Sequence, residues 1–154
     1  MACLPDDVAL TVVPFGGAGY DATKILRETV LRVPLGLCLS EKDVEGEAAQ
    51  IHIVACDASG VVLGVVLLKP ISGNTVKLRQ MAVSAEVQGA GLGRKLVAFA
   101  EETAKERGFR EIETHARLTA LGFYGKLGYM AHGEPFTEVT VQTIRMTKAL
   151  LSAS

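Results

Sequence analysis

A chain of 154 residues, 49% hydrophobic and 21% charged, is sized for one compact domain, residues 1–154. Its net charge of −1 and scattered Lys and Arg argue against a nucleic-acid partner, and three cysteines without CxxC spacing (Cys3, Cys38, Cys56) support neither a disulfide framework nor a zinc site. Met1 to Asp7 has no basic, apolar leader pattern, and the longest apolar run, Val61 to Leu68, is too short to span a bilayer; a reduced, cytoplasmic protein without membrane contact is expected.

Val8 to Phe15 has the composition of a first strand, ended by Gly16-Gly17. Asp21 is placed to cap a helix with Ala22, Ile25, Leu26, Thr29 and Val30 on its apolar face and Pro34 as its stop. Ser40 with Glu41 and Asp43 reads as the start of a short second helix. Ile51 to Cys56 and Val61 to Leu68 flank Asp57-Ala58-Ser59-Gly60, a hairpin pattern, and Pro70 to Asn74 forms the next turn.

The next strand, Thr75 to Val83, changes phase within itself. Val76 and Leu78 set one apolar alternation, and Met81 and Val83 lie on the opposite one. A continuous strand then needs a bulge near Arg79-Gln80, and a bulge bends a strand away from its neighbour. After Gln88-Gly89-Ala90-Gly91-Leu92-Gly93-Arg94 comes a helical run to Arg107, with Leu92, Leu96, Phe99, Ala100, Thr103 and Ala104 on one side. Glu101 precedes Lys105 by one turn and Gly108 supplies the stop. Glu111 to His115 reads as a strand and Thr119 to Leu127 as a short helix whose Gly122 and Gly125 predict a close neighbour. Tyr129 to Gly133 and Val139 to Met146 read as strands. Interleaved strands and helices predict an α/β fold, a mixed sheet with helices on both faces.

The glycine run carries the chemistry. Three glycines in five residues let a backbone come close to a ligand, and the helix that follows aims free N–H groups and its positive dipole end there. That describes an anion site suited to a phosphorylated ligand. No Gly-Lys-Ser/Thr follows, and GxGxxG does not fit, so neither a P-loop nor a dinucleotide fingerprint is present. The plain alternative is a tight strand-to-helix turn. Tyr124, a protonated phenol at neutral pH, becomes a proton donor if a leaving group arrives beside it. Among His52, His115 and His132, none has metal-ligand spacing with another; His52 reads as structural, and His115 at a strand end is the better base candidate.

Two motifs carry a resemblance. Gln88-x-x-Gly91-x-Gly93 resembles the Q/R-x-x-G-x-G/A loop of the GNAT superfamily of acetyl-CoA-dependent N-acetyltransferases. Ala116 to Tyr129, with Phe123-Tyr124-Gly125-Lys126-Leu127-Gly128-Tyr129, is similar to its second signature, A-x-x-x-A-x-x-F-Y-x-K-x-G-F. The resemblance covers roughly Asp21 to the C-terminus. It implies a mostly antiparallel twisted sheet of six or seven strands, splayed between the fourth and fifth. It further implies that Gln88, Gly89, Ala90, Gly91, Leu92, Gly93 and Arg94 hold the pyrophosphate of acetyl-CoA. Met81, Ala82 and Val83 would line its pantetheine, and Tyr124 would protonate the departing thiolate.

Leu31-Arg32, Leu78 to Ala82, His115-Ala116-Arg117 and Gly133 to Phe136 resemble the narrower branch with the glyphosate N-acetyltransferases. There the positions matching Arg32, Arg79 and Arg117 bind an anionic substrate. Those relatives carry a histidine three residues before the methionine of the last strand; here Thr143 precedes Met146. His115, or Glu138 through water, would then take the amine proton, unless the acceptors are low-pKa amines. The expected activity is acetyl transfer from acetyl-CoA to a small-molecule amine, with a homodimer allowed and no metal. The rival is an acyl-CoA-binding or sensing module without catalysis.

Overall fold

The computed structural model describes residues 3–150. Seven strands form one sheet: β1 Ala9–Val13, β2 Ile51–Cys56, β3 Val62–Pro70, β4 Thr75–Val83, β5 Glu111–Arg117, β6 Met130–Glu138 and β7 Val141–Ala149. Their order is β1-β2-β3-β4-β5-β7-β6, antiparallel throughout except for β4 with β5. The helices are α1 Ala18–Arg27, α2 Leu92–Glu106 and α3 Leu121–Lys126. The parallel pair follows from α2, which carries the chain from the end of β4 back to the start of β5. No helix among the described residues is long and apolar enough to cross a membrane.

The two long helices cover opposite faces of the sheet. On β3, Val66 and Leu68 join the main core with Leu92, Leu96 and Val97 of α2, while Val65 and Leu67 pack with Leu26, Val30 and Leu31. Helix α2 presses hardest at Gly64, where an added Cβ would lie 2.9 Å from Leu96 Cδ1 and 3.1 Å from Leu92 Cδ2. Both leucines are fully buried and have no room to retreat. Gly64→Ala is therefore expected to destabilise the fold by about 1–3 kcal/mol, read as a lower urea midpoint at constant m.

The phase change in β4 is a bulge. Leu67 pairs with Arg79 and Val65 with Ala82, so Gln80 and Met81 face the single residue Val66. Gln80 adopts φ 56°, a left-handed conformation that costs a non-glycine residue roughly 1–2 kcal/mol. Beyond it Met81 and Val83 return to the α2 face and Ala82 turns to the α1 face, as the apolar pattern requires.

Several local expectations are corrected. Helix α1 starts at Ala18 behind Gly17, not at an Asp21 cap, and its buried face is Tyr20, Thr23 and Arg27, with Ile25 exposed. Helical backbone continues past Arg27 as a π turn (Glu28–Arg32) and a 3-10 turn containing Pro34, and stops at Gly36 in the left-handed region. Ser40 and Asp43 exchange hydrogen bonds like a capping box, Ser40 N–H to Asp43 Oδ2 (2.9 Å) and Asp43 N–H to Ser40 Oγ (3.2 Å), yet only turns follow. Lys105 pairs with Glu102 at 3.1 Å, because Glu101 is taken by Lys148 (3.0 Å) and the Tyr129 hydroxyl (2.9 Å). Among the described residues nothing outside the helix's own backbone lies within 4 Å of where a Cβ on Gly122 or Gly125 would stand, so no packed protein neighbour explains them. Residues 118–120 form a 3-10 turn ahead of α3. Strand β6 runs on to Glu138, and Val139, expected to open the last strand, instead makes the β6–β7 turn with Thr140.

Candidate functional site

The pairing of β4 with β5 covers only Thr75–Leu78 against Glu111–Thr114. At its end Thr114 Oγ1 donates to the Leu78 carbonyl at 3.0 Å. Past that bond β4 bulges and β5 turns toward β7, so the strands part and leave a cleft of about 920 Å³. Because side chains alternate, the wedge has two different sides. Ile112, Ala116, Val76 and Leu78 face the α2 core, and Lys77, Arg79, His115 and Arg117 face the other way into the cleft.

On the α2 side the glycine run forms the expected strand-to-helix turn. Gly89 (φ 82°) and Gly91 (φ 88°) hold left-handed conformations, and Gly91 is the residue just before α2. Among the described residues no hydrogen bond occupies the amides of Gly91, Leu92, Gly93 or Arg94, while Ala90 N–H and Lys95 N–H are used within the turn. Gly93 lies under Phe123 and Met81, where a Cβ would make contacts of 3.5 and 3.7 Å. The Gln88 side chain donates back to the Val83 carbonyl (3.0 Å), which fixes the turn to the end of β4. Four free amides at a helix N-terminus suit an anion.

Tyr124 reaches the bottom of the wedge from α3. It is 6% exposed and touches the rings of Phe123 and Tyr129, with centroids at 5.0 and 5.4 Å. Burial pushes its hydroxyl up to about 12, against a smaller opposing effect of its hydrogen bond with Thr114. A phenol held there is a proton or hydrogen-bond donor at every physiological pH.

On the open side His115 and Glu138 form a pair. His115 Nδ1–H donates to Glu138 Oε2 at 2.9 Å, and Phe136 lies edge-on to the imidazole at 5.2 Å. With Nδ1 carrying the proton, the Nε2 lone pair is left as the basic atom. Glu138 is set by the tight turn after it, where Val139 (φ 48°) and Thr140 (φ 62°) are both left-handed, as a two-residue hairpin loop requires. Thr143 lines the same cleft but is buried and spends its hydroxyl on the Val141 carbonyl at 3.0 Å.

The three arginines reach one cleft but are differently committed. Arg32 is paired with Asp43 through two bonds (2.9 and 3.1 Å), which hold the Asp43 carboxyl down at about 2. Arg79 donates to Glu47 (2.8 Å), Gln50 (3.0 Å) and the Asp43 carbonyl (2.8 Å). Arg117 has a single weak bond, to the Leu31 carbonyl at 3.3 Å, and no carboxylate partner among the described residues. Burial, then the neighbouring Arg32 charge, lowers its pKa. Lys77, which the sequence did not single out, is equally unpaired and lines the same wall. Burial lowers its pKa, opposed by the Glu138 charge. Its position two residues before Arg79 on one strand face was the available signal.

Comparison with known proteins gives one consistent picture. A family model described as an acetyltransferase (GNAT) domain matches residues 38–150. The uncharacterised protein YyaT of Bacillus subtilis is 35% identical over 80 residues, 52% of this chain and 54% of that protein. The chain thus spans about half the length of the curated relatives it matches. Among solved structures, an N-acetyltransferase from Lactobacillus plantarum superposes with a TM-score of 0.86 at 26% identity, covering 95% of this chain and all (100%) of that one. A GNAT family acetyltransferase from Elizabethkingia anophelis, solved with acetyl-CoA bound, shares the fold at a TM-score of 0.71 and 18% identity over 95% of this chain and 100% of that one.

Proposed function

This chain belongs to the GNAT acetyltransferase family, and from that membership we propose that it moves an acetyl group from acetyl-CoA to the amine of a small molecule by direct attack. One observation carries the reading: the cleft between β4 and β5 is lined by a buried phenol and a histidine–glutamate pair, and the helix-terminal amides of Gly91 to Arg94 lie next to it, with Gly93 against Met81 of its wall. The amides of Gly91 to Arg94 take the pyrophosphate, with Gln88, Gly89 and Ala90 shaping the turn. Met81, Ala82 and Val83, on the unpaired edge beyond the bulge, offer strand backbone to the pantetheine arm. An N–H released by the bulge polarises the thioester carbonyl.

His115 Nε2 takes the proton of the incoming ammonium, with Glu138 fixing the ring and stabilising the charge it gains. Tyr124 gives its proton or its hydrogen bond to the departing thiolate. Arg117 and Lys77, with Lys42 and Lys69 of the same lining, have no carboxylate partner among the described residues and favour an acceptor that bears an anionic group near its amine; Arg32 and Arg79 shape that wall from their own ion pairs. In this reading the chain acts as a single domain in the cytoplasm, and Thr143 has no chemical step.

The test is thiol release from acetyl-CoA across an amine panel. His115→Ala is expected to cost about 10²-fold in kcat with acceptors protonated at the assay pH, and little with amines already neutral there. An equal loss with both classes removes the base role. The second reading, a sensor that binds acyl-CoA without turnover, is favoured by Thr143 standing where relatives have histidine. It predicts tight acetyl-CoA binding and no thiol release with any amine.

A further inference from the structure

A buried charge cluster lies behind the cleft, and its centre, Arg27 and Glu47, has no part in the chemistry above. Arg27 and Glu47 are 0% and 1% exposed. Arg27 Nη1 and Nη2 donate to the two Glu47 oxygens at 2.9 and 2.5 Å. Glu47 also accepts from the Tyr20 hydroxyl and from Arg79, both at 2.8 Å. The third Arg27 nitrogen, Nε, donates to Gln80 Oε1 at 2.9 Å. One guanidinium–carboxylate unit therefore grips both Arg79 and Gln80, the two residues at which β4 leaves its ladder.

That coincidence has a physical content. Gln80 is left-handed, a conformation glycine adopts easily and glutamine does not. Something outside the residue must hold it. The backbone of β3 does not, because Val66 alone faces both Gln80 and Met81. The side chain of Gln80 is tied to Arg27, and the ion pair ties Arg27, the last residue of α1, to the 3-10 turn Glu47–Ala49.

Resting on the acetyl-transfer reading above, we propose that Arg27 and Glu47 are positioning residues: through Gln80 they hold the β4 bulge in the one conformation that aims its backbone N–H into the cleft. They touch neither reactant. Their effect passes through the direction of a main-chain amide that must meet a developing oxyanion, and such a donor is sensitive to small misalignment.

The decisive variant leaves the ion pair alone. Gln80→Met keeps the side-chain length and removes the acceptor for Arg27 Nε; Gln80→Glu restores an acceptor. Gln80→Met is expected to lower kcat about tenfold or more with acetyl-CoA KM within about twofold, and Gln80→Glu to recover most of it. In the protein without ligand, amide hydrogen exchange at Met81 to Val83 should rise in Gln80→Met and return in Gln80→Glu. Unchanged kcat and exchange in Gln80→Met would overturn the proposal, as would a Gln80→Glu variant no better than Gln80→Met. A wild type that releases no thiol with any amine would instead defeat the acetyl-transfer reading, and the exchange comparison would still decide whether the clamp holds the bulge.

Discussion

Tyr124→Phe is expected to lower kcat by about 10²-fold while leaving the affinity for acetyl-CoA nearly unchanged. The phenol is 6% exposed, so the substitution removes one hydroxyl from a packed site and keeps the ring contacts with Phe123 and Tyr129. The hydroxyl that stays behind in Thr114 still has the Leu78 carbonyl, so no buried donor is orphaned. Stability should therefore change little, and a loss of rate would report chemistry. The sign of the pH effect follows from burial. A phenol pushed up to about 12 remains protonated through the working range, so Tyr124 should contribute no alkaline limb to the rate below pH 10. Steady-state kinetics with thiol detection and titration of acetyl-CoA by calorimetry would check both parts. A variant with wild-type kcat would take Tyr124 out of the mechanism.

Glu47→Ala should be the most damaging single change to the fold. It leaves Arg27 wholly buried with only Gln80 to receive its donors, and strips Tyr20 and Arg79 of a partner as well. Breaking one side of a buried ion pair costs about 3–5 kcal/mol, which for a domain of this size lowers Tm by roughly 10 °C. Differential scanning calorimetry would measure it. The pair also sets the acid behaviour. Burial pushes the Glu47 carboxyl up, but hydrogen bonds from Arg27, Arg79 and Tyr20 outweigh it and hold the pKa below the ordinary value. Asp43 is held at about 2, first by its hydrogen bond from Arg32. Both are depressed, so the stability they confer is complete above the ordinary carboxylate range and is lost as pH falls through the folded values. Wild type should lose stability as pH falls below the ordinary carboxylate range, and a Glu47→Gln variant should show a shallower loss there.

Local pattern was enough where local physics decides. The phase change between Leu78 and Met81 located the bulge, because a side chain in a strand has only two faces to choose from. The glycine run located the turn before α2, because left-handed backbone at Gly89 and Gly91 excludes most other residues. Pattern failed where distant partners decide. Arg27 occupies the C-terminal end of the α1 buried face, a place that periodicity reserves for apolar residues, because Glu47 lies opposite it in space. Ser40 and Asp43 formed their local bonds without a helix, since Asp43 is also claimed by Arg32. Glu101 turned away from Lys105 for the same kind of reason. In the cleft the resemblance pointed to Arg32, Arg79 and Arg117, but the sequence could show neither that they reach one wall nor which already had a carboxylate.

The outer strand β6 lends its end to the site at a risk that the sequence counters. All nine of its residues are exposed, Met130 at 68% and Phe136 at 37%, and among the described residues one of its edges has no neighbour in the sheet. An open apolar edge invites a foreign strand to add on, and a strand added along β6 would crowd the Glu138 that steadies His115. Pro135 denies a main-chain donor, Glu134 and Glu138 bring charge, and the register break between His132 and Phe136, with Gly133 at φ 73°, bends the strand out of line. These features act as gatekeepers against stacking and aggregation. Straightening that edge, rather than altering any group in the cleft, is the change by which this fold would trade a working site for a fibre-forming surface.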